Sequence, residues 1–582
     1  MMDKFNIARM KSLLVDLYGG TAAAHVFTSM LPAIEATRLR TQEKFDPEPL
    51  SAKDVVLITY ADQFRQDDQP PLEVLGEVCQ HVLNEMITTI HILPFFPYTS
   101  DDGFSVSDYR SVKPEFGEWQ HIDRLGRNYR LMFDAVVNHT SVKHNWFERF
   151  LQDDPDYVDF YVTAHPQHDL REVVRPRALP LLTRFRTRRG ERYVWTTFSE
   201  DQVDLNYANP AVLIEVSKVL LEYAERGAQF IRLDAIAYLW KEIGTPCIHL
   251  PQTHKIIQFW RAMFEEAAPY VRLITETNVP HEDNIAYFGD GSNEAQLVYN
   301  FALPPLVLHA MHRQNATYLT QWASGLRLPS REAMFFNFLA SHDGIGLNPA
   351  RGILGSDQPS MPESEINWLV KVVQELKGLV GYKSNPDGSQ TPYELNINYL
   401  DALAGSVGQQ DEDALVDRFL TAHAVLLSLA GLPAIYVHSL LGSRGWPEGV
   451  AQTGMNRSIN REKFNARQML AELDEASSLR HKIWRGFELL LRVRRNEPAF
   501  HPQGEQQILP LDGRLFIVLR KDRTQARDML CCHNFSAEQV EVDLGGYGRA
   551  WLDVLTGESG TLNQPVRIAP FGRRWLALSG SF

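Results

Sequence analysis

Apolar residues gather along this chain in eight short runs set apart by amphipathic stretches. The runs are Val55–Ala61, Ile90–Phe96, Leu131–His139, Gln229–Ala237, Val271–Glu276, Gln296–Phe301, Met334–Asp343 and Ala434–Val437. Each is too short for a buried helix and too continuously apolar for a half-exposed strand, so each reads as a strand buried on both faces. Helical periodicity fills about 209–226, 414–430 and the stretch before Met86. Alternating strand and helix predicts a parallel sheet, and eight such units predict closure into a (β/α)8 barrel of the TIM type. An open doubly wound sheet is the alternative, but no Gly-rich phosphate turn follows an early strand.

The rhythm breaks in two places. Residues 143–205 are rich in Arg, Pro, Asp and aromatics and read as an inserted subdomain after the third strand. Residues 344–412 form a long polar insertion after the seventh. From about 505 the pattern shifts to short strands split by turn residues: Leu515–Leu519, Met529–Cys532, Val540–Leu544 and Trp575–Leu578, with Gly545-Gly546 the clearest turn. The expected organisation is therefore α/β. Residues 1–142 are the first part of the barrel behind an N-terminal helical cap, and 143–205 are the insert. Residues 206–500 are the second part of the barrel, and 501–582 are a C-terminal antiparallel β-domain.

A net charge of −14 argues against a broad nucleic-acid or anionic-membrane surface. No apolar run reaches the roughly 18 residues of a membrane span. The first residues lack the apolar stretch of a signal peptide. Four scattered cysteines, Cys79, Cys247, Cys531 and Cys532, show no paired metal-ligand spacing and fit a reducing cytoplasm.

Chemistry enters through the fourth run. Arg232 and Asp234 stand two apart, on one face of a buried strand. Alone, the pair reads equally well as a structural ion pair. In an eight-fold barrel, however, chemistry gathers at the C-terminal strand ends. Those ends also hold Asp134, His139, Glu276, His342 and Asp343. So many buried charges at one rim stabilise little. Carboxylates from separate strands suit glycosyl transfer, which needs an ionised nucleophile and a proton donor. Arg232 is expected to lower the pKa of Asp234, and apolar neighbours to raise that of Glu276.

Four segments in order resemble the signatures of the α-amylase superfamily, glycoside hydrolase family 13. They are Asp134-Ala135-Val136-Val137-Asn138-His139, Ile231-Arg232-Leu233-Asp234-Ala235, Ile274-Thr275-Glu276 and Ser341-His342-Asp343. The resemblance implies Asp234 as nucleophile, Glu276 as general acid/base and Asp343 as transition-state stabiliser, with Arg232, His139 and His342 in the glucose site. Asn138 matches a position that binds calcium in many amylases. Nothing else suggests a calcium cage, so neither a metal nor a cofactor is expected.

A narrower resemblance is to the sucrose phosphorylase branch. Asp101-Asp102-Gly103-Phe104 looks like its loop after strand 2, with Asp101 gripping glucose. Asn460-Arg461 looks like its late glucose-site arginine. Arg175-Pro176-Arg177 looks like its inserted-domain loop and Tyr393-Glu394-Leu395-Asn396, followed by Tyr399, like its mobile loop after strand 7. The arginine forks match phosphate oxygens, so Arg175, Arg177 and Tyr393 are the candidates for phosphate or acceptor contacts. The segment 275–284 departs from typical sucrose phosphorylases, and the chain taken as a whole, including Tyr60-Ala61-Asp62-Gln63-Phe64 and Ile285-Ala286-Tyr287-Phe288, resembles the glucosylglycerate phosphorylase members before the others. His281 and Glu282 are not expected to act directly. The implied partners are small molecules (an α-glucoside, inorganic phosphate and glucose 1-phosphate), with a homodimer as one assembly open to the chain. Sucrose, glucosylglycerol or sucrose 6′-phosphate as substrate, a hydrolase or transglucosidase with the same triad, and a non-catalytic relative stay open at this point.

Overall fold

Every one of the eight apolar runs carries a strand. The computed structural model describes residues 3–42, 49–176, 179–351, 361–385, 389–405, 411–523 and 527–579. The strands are β1 (Val56–Thr59), β2 (Thr89–Ile92), β3 (Arg130–Ala135), β4 (Ala228–Leu233), β5 (Arg272–Thr275), β6 (Leu297–Tyr299), β7 (Met334–Asn337) and β8 (Leu432–Tyr436). They pair in sequence order, all parallel, and β8 closes the barrel onto β1. Their side chains are almost all buried, which is why the runs are continuous rather than alternating. The register sets Asp134 on β3 opposite Arg232 on β4, so the two side chains share one face of the barrel wall.

The strands are shorter than their apolar runs. On β7 the ladder stops at Asn337, opposite Pro433 of β8, and the remaining residues to Asp343 rise above the rim as a loop. His139–Ser141 leaves the barrel and pairs antiparallel with Gln202–Asp204, tying the returning end of the insert back to strand 3. The insert also holds a helix, Asn145–Leu151, and a hairpin, Leu182–Thr187 with Gly190–Trp195. The later insertion carries a helix, Glu363–Glu375, and a hairpin, Leu379–Ser384 with Gln390–Asn396, which pairs with Ile345–Gly346 beside Asp343. Gly344 permits that approach: a Cβ there would lie 2.5 Å from Glu394 Cγ and 2.7 Å from the Leu395 carbonyl.

Two N-terminal helices, Lys4–Tyr18 and Gly20–Thr41, lie against the barrel's helical layer and are fastened to it by Arg40–Glu225 at 2.7 Å and Thr41 Oγ1 to the Ala267 carbonyl at 3.0 Å. Past the barrel, a six-stranded antiparallel sheet takes Leu515–Arg520, Met529–Asn534 and Arg573–Ser579 as its middle. Strand alternation splits its residues between two cores. Phe516, Val518, Cys531, Trp575 and Ala577 face the barrel side, while Ile517, Leu519, Leu530, Cys532 and Leu576 face a separate apolar cluster. The adjacent cysteines thus point to opposite faces, and both are free and buried.

Two buried arginines sit at the N-terminal ends of the strands, Arg494 fastening elements of the barrel to one another and Arg520 joining the sheet to the barrel. Arg494 donates to the carbonyls of Leu427 (3.1 Å), Asp54 (3.2 Å) and Phe500 (3.1 Å), and to that of Ala52. Arg520 donates to the carbonyls of Ser428 (2.8 Å) and His501 (2.6 Å). No described helix is long and apolar enough to cross a membrane.

Candidate active site

At the opposite, C-terminal end of the barrel, Asp234 and Glu276 are each the first residue past their strands, β4 and β5. Both continue the ladder by one bond: Asp234 N–H to the Ala135 carbonyl and Glu276 N–H to that of Leu233, each at 3.2 Å. The chain then bends at Ala235 into the left-handed region (φ 47°), a conformation that costs a non-glycine residue about 1 kcal/mol. The bend aims the Ala235 N–H at Glu276 Oε2, 2.9 Å away. Strained backbone at a cavity wall is a common mark of function. Asp101 and Asp102 share it, with φ of 53° and 47°.

Asp234, Glu276 and Asp343 all line one cavity, together with Asp101, His139, His342, Tyr393, Phe104, Gln202, Glu394 and Arg457. Arg232 lies just beneath it. Its Nη1 bonds Asp234 Oδ1 at 2.8 Å and also reaches Asp134, while Nη2 stands 3.8 Å from Glu276 Oε1. Asp134 is itself fixed by His91 Nε2 at 2.7 Å, well below the rim. Arg461 lies outside the lining as well, donating to the His342 carbonyl at 2.9 Å and to Asp102 at 2.7 Å, with Asp101 farther off at 3.8 Å. The His342 ring stacks on Phe104, centroids 4.8 Å apart.

The electrostatics correct one expectation. Arg232 does pull the Asp234 carboxyl down, but burial is the larger effect, and Glu276, Asp134 and Asp343 add to it, so Asp234 is raised. Burial, with Asp343, raises Glu276 as well, against Arg232. Arg232 is nearer to Asp234, which favours leaving the charge there and the proton on Glu276. Asp343 behaves oppositely: burial is outweighed by Arg457, His342 and Arg461, which hold it well below the usual carboxylate range. Burial pushes His342 down to about 3 and lowers His139, so both are neutral at pH 7.

Arg175 is not brought to the cavity. Its guanidinium donates to the Leu179 carbonyl, and its neighbour Pro176 forms part of the wall. Arg177 lies outside the described residues. His281 and Glu282 are not in the lining. Sequence reading missed Arg457, Glu394 and Gln202. Arg457 Nη1 is 2.6 Å from Asp343, and Gln202 donates to Asp101 at 3.3 Å. The sole hint was position: Glu394 follows Tyr393, and Arg457 precedes Arg461 by four residues.

Asn138 has its place taken up. Lys241 Nζ donates to Asn138 Oδ1 at 2.7 Å and pairs with Asp204 at 2.6 Å, all three side chains buried. An ammonium already sits among these oxygens, so they do not fit a calcium ion. Among the described residues no cluster of three or more His, Cys, Asp or Glu could hold a metal.

A barrel with carboxylates from three strands converging on one cavity is the architecture of the α-amylase catalytic domain, whose family description matches residues 80–345. The chain belongs to the α-amylase family. Within it, the chain stands with the glycoside phosphorylases. It is 49% identical to the glucosylglycerate phosphorylase of Spirochaeta thermophila, over 92% of this chain and 90% of that one. It is 30% identical to the sucrose phosphorylase of Agrobacterium vitis, over 77% and 88%. Among solved structures, the sucrose 6F-phosphate phosphorylase from Thermoanaerobacter thermosaccharolyticum superposes with a TM-score of 0.72 at 22% identity, covering 90% of this chain and all of that one.

Proposed function

We propose that this chain transfers an α-glucosyl group from glucosylglycerate to inorganic phosphate with retention, giving α-glucose 1-phosphate and glycerate. The observation that carries the substrate is the 49% identity, spread over nearly the whole chain, to a glucosylglycerate phosphorylase. The convergence of Asp234, Glu276 and Asp343 on one cavity supports the chemistry.

The reaction runs in two displacements. Arg232 holds Asp234 Oδ1, and the free Oδ2 attacks the anomeric carbon. As the bond to glycerate breaks, Glu276 gives its proton to the departing oxygen. A phosphate oxygen then attacks the same carbon and loses its proton to Glu276, and Asp234 leaves as carboxylate. Asp343, kept ionised by Arg457 and Arg461, stabilises the oxocarbenium-like charge in both steps. Asp101, His139 and His342 hold the glucosyl hydroxyls, with Arg232 and Arg461 positioning these groups from behind. Tyr393 faces the acceptor.

The test is an acceptor screen with glucose 1-phosphate as donor, comparing glycerate, fructose, glycerol and fructose 6-phosphate. Glycerate should give the highest kcat/KM. If it is no better than the rest, the substrate assignment fails. If water resolves the glucosyl-enzyme as fast as phosphate does, the protein is a hydrolase. A homodimer and a cytoplasmic setting belong to the same reading, checked by multi-angle light scattering and by cell fractionation.

A further inference from the structure

The cavity is lopsided in charge. Among the described residues that line it, Asp101, Asp234, Glu276, Asp343 and Glu394 are carboxylates, and Arg457 is the one guanidinium. His139 and His342 are neutral there, for the reason given above. Arg232 and Arg461 are buried and committed to carboxylates of the glucosyl pocket. Yet on the function proposed above, which this inference rests on, both acceptors are anions. A phosphate or a glycerate carboxylate entering among these acidic side chains needs a cation, and a guanidinium fork matches either in bidentate fashion.

We propose that Arg457 grips the anionic end of both acceptors, and that Glu394 is a built-in competitor occupying the fork until they arrive. The geometry divides Arg457 in two. Nη1 faces Asp343 at 2.6 Å. The other edge, Nε and Nη2, meets both oxygens of Glu394 at 3.2 and 2.8 Å. An incoming carboxylate or phosphate presents the same pair of oxygens and replaces Glu394 like for like, while Nη1 keeps Asp343 in place. Glu394 is not orphaned by the exchange, because the Gly344 N–H donates to its Oε1 at 3.2 Å. It also sits on the hairpin strand next to Tyr393, on the wall assigned to the acceptor. The competitor gives selectivity: a neutral acceptor cannot displace a carboxylate from arginine, whereas an anion can.

The experiment uses α-glucosyl fluoride as an uncharged donor, so that the donor's own charge does not enter. Phosphate, glycerate and neutral glycerol are compared as acceptors for the full-length protein and the variants R457Q, R457K and E394Q. R457Q should raise KM for phosphate and glycerate at least tenfold while changing that for glycerol less than twofold, and R457K should recover part of the loss. E394Q should lower KM for both anions several-fold. Because Arg457 also holds Asp343, R457Q should in addition lower kcat for all three acceptors alike. The assignment is overturned if that common kcat loss is the whole effect and the anion KM values stay unchanged, or if E394Q leaves the anion KM values unchanged. Wild-type protein that uses neither anion overturns this inference and the proposed function together. Wild-type activity on both, with R457Q retaining normal KM values for them, overturns this inference alone.

Discussion

The two ends of the barrel bury the same residue in opposite circumstances. At the base, Arg494 and Arg520 are fully buried and answered by main-chain carbonyls. At the rim, buried Arg232 and half-buried Arg457 are answered by carboxylates that line a cavity. Burial works against the charge of all four. At the base it wins, lowering Arg494 to about 9 and Arg520 to about 10. At the rim the carboxylates win, and both arginines are raised well above their ordinary value. A buried arginine is therefore not a sign of function by itself. Carbonyl partners make it a structural fastener, whereas carboxylate partners leave charges that chemistry can use.

The sharpest way to separate the two ends is to remove one group from each. Asp234→Ala should cut kcat by about 10⁴-fold or more, since on the proposed function it removes the attacking atom, with the unfolding midpoint kept. Single-turnover assays and urea titration measure the two effects. Arg494→Met should do the reverse. Uncapping several buried carbonyls should cost about 3 kcal/mol in urea unfolding, while kcat of the folded fraction stays within about twofold. A large kcat loss in that variant would break the contrast.

A smaller effect tests whether the rim charges strain the fold. Asp234 has a folded pKa raised above its value in the unfolded chain. Such a carboxyl contributes stability that is full below the unfolded pKa of 3.8 and is lost as pH rises through the folded pKa. Asp234→Asn should therefore be inactive yet more stable at pH 7, by about 1 kcal/mol, with a shallower decline of stability from pH 4 upward in denaturation series. The smallest effect concerns Glu276, whose pKa Asp343 helps to raise. Asp343→Asn should move the alkaline limb of its residual kcat–pH profile to lower pH. An upward shift would contradict the coupling.

Legibility followed locality. Asp234 and Glu276 could be read because one interrupts an apolar run and the other ends one, and an apolar run is a local signal. Asp343 ends its run too, though the strand itself stops six residues earlier, where its ladder meets Pro433. Arg457, Glu394 and Gln202 carry no such signal. They come from insertions and from the segment after β8, and an isolated polar residue in a loop looks the same whether it faces solvent or a cavity. Arg494 and Arg520 were hidden for the converse reason: one sits in the basic last turn of an amphipathic helix and the other at the end of an apolar strand, where a surface arginine is the ordinary expectation.

By itself, the sequence determined the eight-unit barrel, the order of its strands and the carboxylates that crown strands four, five and seven, because buried parallel strands must be continuously apolar and any charge breaking that run stands out. Only the tertiary structure decided which arginine faces which partner, that burial rather than Arg232 governs Asp234, and that Arg457 and Glu394 complete the cavity wall. Those facts depend on desolvation and on distances between residues far apart in the chain, and neither is written in any local pattern.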